Sequence, residues 1–351
     1  MTEQISHHWR SVTERLTAAQ GVWAQHALSA LTKQVAPSPD EQTVLPYENA
    51  DPLGASLYMP AASGGKKAGT SNERLIHQYK NRCLFLSTGK CFCRCRYCFR
   101  RESSVFDYSF ASAQDIGFLC DYIAEHTEVR ELLVSGGDPL TGTDRQLEAL
   151  FSAVRSARKD VLIRVCTRAP VFAPERFTPH LKALLKSFKP LWIIPHINHS
   201  AEFSPQFSPE SYRVLNDLID CGIPMQSQTV LLRGVNNNIE ELVSLFQGLT
   251  EIGIKPGYLF QGDLAPGTAH FRVPIDEGIK LYERLRYELS GLSLPVYAVD
   301  IPGGGGKFNL LNLDPAAAGV CAEKTEHAYV FKTERGASYA YPRETQKRIQ
   351  K

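Results

Sequence analysis

The sequence predicts an α/β fold of parallel strands joined by helical crossovers. Three observations predict it. From about Arg82 onward, six short apolar runs follow one another, and an amphipathic segment separates each from the next. A cysteine-rich loop follows directly on the first run, and the C-terminal ends of parallel strands are where such folds gather their chemistry. Six units also fall two short of the eight that close a barrel.

The elements can be justified in order. Residues 5–35 set Trp9, Val12, Leu16, Val22, Trp23, Ala27, Leu28 and Leu31 at helical spacing, which predicts one or two amphipathic helices. The stretch 37–71 is rich in Pro, Gly and Ser and reads as a wrapping loop, with 61–67 as its most mobile part. Strands are predicted at 83–86, 132–135, 161–167, 191–196, 225–231 and 257–260, and helices near 112–126, 145–157, 177–187, 209–221, 238–252 and 275–290. Apolar flanks at 296–299 and 308–311 bracket a final glycine run. The chain therefore divides into an N-terminal extension over 1–80, a barrel unit over 81–295 and a C-terminal segment over 296–351.

Composition narrows the function classes. A hydrophobic fraction of 43% with 22% charged residues is ordinary for a soluble globular protein of 351 residues. A net charge of +2 is too small to argue for nucleic acid or an anionic membrane as partner. No apolar run approaches the ~18 residues of a membrane-spanning helix. The first ten residues lack the apolar core of a signal peptide, so the expectation is a cytoplasmic, reducing location.

Cys91, Cys95 and Cys98 form a C-x₃-C-x₂-C triple. With nine cysteines in 351 residues, chance produces it roughly 0.006 times per chain. Three thiolates can hold three corners of a [4Fe–4S] cube and leave the fourth iron open to a small molecule. A zinc site would want a second cysteine pair, and the next cysteine is the lone Cys120. Cys93 is read as a non-ligand, since the frame is complete without it. The triple, with Tyr97 just before its last cysteine, resembles the motif of the radical S-adenosylmethionine (SAM) superfamily. That resemblance implies SAM chelated on the open iron, with the aromatic residue beside its adenine. It also implies an open, partial (β/α)6 barrel.

The run Pro302 to Lys307 places four glycines before a lysine. It is no phosphate loop, because Ile301 and Phe308 stand where a Walker A motif needs Gly and Ser/Thr. Glycines let a backbone bend closely around a ligand, and a lysine there can form a Schiff base with an aldehyde cofactor such as pyridoxal phosphate (PLP). Together with the cysteine triple, with Tyr79 to Arg82, Ser135 to Leu140, His196 to His199 and Asp300, the chain resembles the lysine 2,3-aminomutase family.

The resemblance implies roles residue by residue. Lys307 matches the lysine that binds PLP, and Arg82 and Gln228 match positions near the PLP phosphate. Gly136, Gly137 and Asp138 match the turn that meets the methionine part of SAM; a strand-to-helix turn capped by Asp138 is the plainer alternative. Arg100 matches the arginine that grips the substrate α-carboxylate, for which a planar guanidinium suits better than an ammonium. Asp263 and Asp300 match the pair that binds the side-chain ammonium of lysine, since a buried ammonium needs compensating carboxylates. The implied reaction moves the α-amino group of L-lysine to Cβ. A small amino acid as substrate, an electron donor such as flavodoxin or ferredoxin, and homo-oligomer formation complete the implied partners.

The chain departs from the longer clostridial-type enzymes in lacking their cysteine-rich zinc-binding extension, Cys321 being the only cysteine after Cys221. Its length is nearer the relatives that make β-lysine for modification of elongation factor P. Arginine or ornithine would suit two carboxylates as well. Two readings from other classes stay open at this level: a PLP-independent radical SAM enzyme acting on a peptide or RNA, and a zinc-binding scaffold.

Overall fold

The computed structural model describes residues 72–93, 95–100, 107–301, 306–311, 320–333 and 338–343. The helices expected over 5–35, the loop over 37–71 and most of the glycine run lie outside the described residues. All six expected strands are present, with bounds within two residues of those read from the sequence: β2 Arg82–Thr88, β3 Glu131–Gly136, β4 Leu162–Thr167, β5 Leu191–Pro195, β6 Gln226–Val230 and β7 Lys255–Phe260. A seventh parallel strand, β8 Val296–Ile301, extends the sheet. Two isolated bridges, Ile193 to Met225 and His196 to Gln228, carry the sheet from β5 to β6. Antiparallel strands close its two edges, β1 Leu75–Tyr79 against β2 and β9 Gly306–Asn309 against β8.

The crossover helices are α1 Ala113–Glu125, α2 Asp144–Ala157, the short α3 Ala169–Phe172, α4 Pro179–Ser187, α5 Pro209–Asp220, α6 Ile239–Glu251 and α7 Ile275–Glu288. Local chemistry starts them where the chain must turn back. Ser112 with Asp115, and Thr143 with Gln146, form reciprocal capping boxes on α1 and α2, and Asn238 caps α6. Their apolar stripes pack on the sheet through residues such as Leu119, Leu147, Phe151, Leu215 and Phe246, all fully buried. Among the described residues no helix is long and apolar enough to cross a membrane.

Two parts of the architecture were not read from the sequence. Strand β1 lacks a clean alternation and joins β2 through the two-residue turn Lys80–Asn81, which carries no glycine signal. A separate three-stranded antiparallel sheet, β10 Val320–Lys324, β11 Ala328–Thr333 and β12 Ser338–Pro342, follows the open barrel. Asp276 on α7 anchors it, accepting from Lys324, Tyr329 and Arg343.

Candidate active site

The strand ends and the loops beyond them surround a cavity of about 280 Å³, which Cys91, Cys95, Cys98, Asp263, Asp300 and Lys307 help to line. A second chamber of about 360 Å³ lies alongside, lined in part by Tyr79, Arg82, Tyr258 and Gly306. Arg100, Gln228, Asp300 and Lys307 line both. All twelve residues singled out by the sequence therefore fall in or around one pair of adjoining spaces.

The cysteine loop is held by close backbone approach to β3. Gly136 has φ +115°, and a Cβ there would stand 2.2 Å from the Thr88 carbonyl oxygen; one on Gly137 would stand 2.1 Å from that of Lys90. The gain is two short hydrogen bonds, Gly137 N–H to Thr88 O and Asp138 N–H to Lys90 O, each 2.6 Å. Only glycine tolerates this geometry at Gly136. The Asp138 carboxylate is committed to the chain, accepting from the Thr167 hydroxyl at 2.8 and 2.9 Å, from Arg168 N–H at 2.8 Å and from Leu140 N–H at 3.1 Å. This is the capping work that the sequence left as an alternative.

Burial pushes the Cys91 and Cys98 thiols up, the latter to about 11, and the neighbouring cysteines add to the effect. A bound metal reverses that tendency by stabilising the thiolate. Among the described residues no three ligand side chains are gathered closely enough for a single metal ion. The three thiols instead share the wall of one cavity, an arrangement compatible with ligands to separate irons of a cube. Cys93 lines the same cavity. Beside them, His196 keeps a buried Nε2 with no hydrogen-bond partner, and burial, aided by the Arg168 charge, pulls its pKa to about 3. A neutral imidazole with an unpaired nitrogen suits a polar ligand such as SAM.

The lysine wall is built differently. The β8–β9 register sets Asp300 directly opposite Lys307. Lys307 Nζ donates to both Asp300 oxygens, at 2.9 and 3.1 Å, with side-chain exposures of 31% and 19%. Burial pushes the Lys307 pKa down, and the Asp300 charge more than reverses this, so the ammonium is held above its ordinary range. Across the open edge, Lys307 N–H donates to the Tyr79 hydroxyl at 2.7 Å, so β9 meets β1. Arg82 stacks on the Tyr79 ring at 3.7 Å. A lysine facing a chamber with a guanidinium and the Gln228 amide on its walls fits PLP. The Asp263 carboxyl is pushed up to about 7, first by burial and then by the charge of Asp300.

The Radical SAM superfamily model matches residues 85–246. A Treponema pallidum (strain Nichols) protein named "Putative L-lysine 2,3-aminomutase" is 45% identical over 342 residues, covering 97% of this chain and 90% of that one. The chain belongs to the lysine 2,3-aminomutase family. It is accordingly an isomerase-type enzyme, and the family's cofactors are a [4Fe–4S] cluster, SAM and PLP. The L-lysine 2,3-aminomutase of Fusobacterium nucleatum is 38% identical over 233 residues, which are 66% of this chain and 54% of that protein. The glutamate 2,3-aminomutase of Clostridioides difficile is 35% identical over 264 residues, 75% of this chain and 59% of the relative. The match thus spans little more than half of these two longer aminomutases.

Sequence reasoning missed a buried network behind Cys95. Arg168, Asn198 and Glu202 join Tyr97 there. One signal was available: Arg168 directly follows the predicted strand 161–167, at the end where catalytic side chains collect. Asn198 stood in a quoted motif but received no role, because nothing in the sequence says that it meets Tyr97.

Proposed function

We propose that this enzyme is a PLP-dependent radical SAM 2,3-aminomutase that converts L-lysine to β-lysine. The observation that carries the reading is Asp263, Asp300, Arg100 and Lys307 lining one cavity with the cysteine triple. Cys91, Cys95 and Cys98 would hold the cluster, and Gly136, Gly137 and Asp138 would shape the SAM side of the cavity. Arg82 and Gln228 would face the PLP phosphate, and Lys307 would carry PLP. When bound, the cluster and SAM supply a hydrogen-abstracting radical, and PLP supplies the delocalisation that lets nitrogen migrate.

The chain's own residues then bind and orient. Arg100 forks onto the substrate α-carboxylate. Asp263 and Asp300 take the side-chain ammonium, and the cavity walls limit the reacting groups to one geometry. The Lys307 ammonium seated on Asp300 supports this, because that position accepts a primary ammonium group. Glutamate, the substrate named for the C. difficile relative, would bring a third carboxylate against these two, and like charges disfavour it. Ornithine and arginine share the favourable sign. An electron from a flavodoxin- or ferredoxin-type donor and a cytoplasmic setting belong to the same reading.

The test is an anaerobic assay of reconstituted protein with SAM, PLP and reductant, offering lysine, arginine, ornithine, glutamate and alanine separately. β-Lysine from lysine alone is the expected result. A β-isomer of another amino acid would overturn the substrate, and SAM cleavage with no isomer from any of the five would overturn the aminomutase reading for them all. A second preparation without PLP should give no isomer.

A further inference from the structure

We propose that Arg168, its guanidinium fixed by the Tyr97 hydroxyl and Glu202, donates a charge-assisted hydrogen bond to Cys95 Sγ that raises the reduction potential of the cluster held there. The inference rests on the cluster reading above and adds two positioning residues to it.

Arg168 stands at the end of β4, where its N–H is tied to Asp138. Its guanidinium is almost fully spent. Nε donates to His196 O at 3.1 Å, Nη2 to Glu202 Oε1 at 2.6 Å, and Nη1 to both the Tyr97 hydroxyl at 2.6 Å and Cys95 Sγ at 3.1 Å. It also lies 4.4 Å over the Phe172 ring. Glu202 and Asn198 are fully buried, and Glu202 accepts a second bond from Asn198 N–H at 2.9 Å. The guanidinium thus cannot swing away without leaving a buried carboxylate unpaired.

Tyr97 completes the arrangement. Its oxygen accepts from Arg168 Nη1 and from Asn198 Nδ2, each at 2.6 Å. The Tyr97 hydroxyl thereby holds Nη1, the amine that reaches Cys95, in place. Cys95 Sγ therefore receives a cationic side-chain donor at 3.1 Å.

The consequence is electronic. Adding one electron to the cluster increases the negative charge on its ligand sulfurs. Donors aimed at a sulfur stabilise that reduced state, and hydrogen bonds to sulfur are a main lever on cluster potential. Such bonds are stronger when the donor is charged and the surroundings are dry. Glu202 balances the total charge through Nη2, while Nη1 is the amine that donates to the sulfur.

The test is a redox titration of the reconstituted cluster without SAM, with dithionite supplying one electron per cluster and electron paramagnetic resonance as readout. Tyr97→Phe deletes one oxygen. Arg168→Lys keeps a cation opposite Glu202 but cannot span Glu202, Tyr97 and Cys95 together. Both variants are expected to retain wild-type iron and sulfide and to titrate at lower potential. At the wild-type midpoint the ratio of reduced to oxidised cluster should fall about tenfold, equivalent to 59 mV for a one-electron couple. An unchanged midpoint in both variants overturns the inference, and it does so whether or not SAM binding weakens, because the pair would then serve SAM or packing instead. Loss of the cluster from Tyr97→Phe overturns it as well, since the dependence would be structural. A wild-type protein that binds no [4Fe–4S] cluster would overturn the functional reading along with it.

Discussion

The two walls of the cavity are built on opposite plans. The cysteine wall, between β2 and β5, is backed by buried polar side chains whose partners are already fixed: Asp138 and Glu202 accept, and Thr167, Arg168 and Asn198 donate, in defined hydrogen bonds. The lysine wall, between β8 and β9, rests on one cross-strand pair at a sheet edge, with Lys307 about a third exposed. The difference suits the two tasks proposed for them. A cluster loop needs its ligands held and its surroundings dry, whereas a lysine that must exchange partners needs an accessible ammonium. An edge strand supplies that access, and its single bond to Tyr79 supplies the position.

The largest expected effects separate the walls outright. Cys95→Ala should abolish cluster assembly, measured as iron and sulfide content after reconstitution, and leave the visible absorbance of lysine-bound PLP intact. Lys307→Ala should do the reverse. If either substitution removes both cofactors, the walls are not independent. Next in size, Gly136→Ala attacks the backing of the cysteine wall. It forces a Cβ against the Thr88 carbonyl at φ +115° and should cost about 3 kcal/mol, read as a lowered thermal midpoint. The equivalent change at Gly117, where a Cβ meets nothing within 4 Å, should not.

A smaller and reversible effect probes the lysine wall. Asp263 titrates near 7, its pKa raised by burial and then by Asp300. Its charge is present above that pH and lost below it, so the KM for lysine should rise as pH falls from 8 to 6. In Asp263→Asn the KM should be higher throughout and its pH dependence flatter. A profile that keeps its shape in the variant would assign the titration to another group. Smallest of all, Arg130→Ala removes an ion pair with Asp160 whose side chains are both at least half exposed. It should leave the thermal midpoint nearly unchanged and both walls untouched.

Much of this was legible beforehand, for identifiable reasons. The strands and crossover helices were readable because each buries one continuous face, which writes a period into the sequence. The cysteine triple was readable because its ligands are neighbours in the chain. β1 and the three-stranded sheet β10–β12 carried too little alternation to be read as strands. Asp138 was read from local pattern as a turn cap, which its bond from Leu140 N–H bears out, but nothing local foretold that its carboxylate also accepts from Thr167 and Arg168, a pairing that crosses from one strand end to the next.

The sequence by itself determined the β/α succession, the cysteine frame and the glycine–lysine run, because each depends on residues close together along the chain. Only the tertiary structure decided that Asp300 faces Lys307, that Tyr79 reaches across the open edge to hold it, and that Arg168, tied to Tyr97, reaches Cys95. Those contacts join residues up to 228 positions apart. Their geometry is set by strand register and by which strands become neighbours, and no local pattern of side chains encodes either.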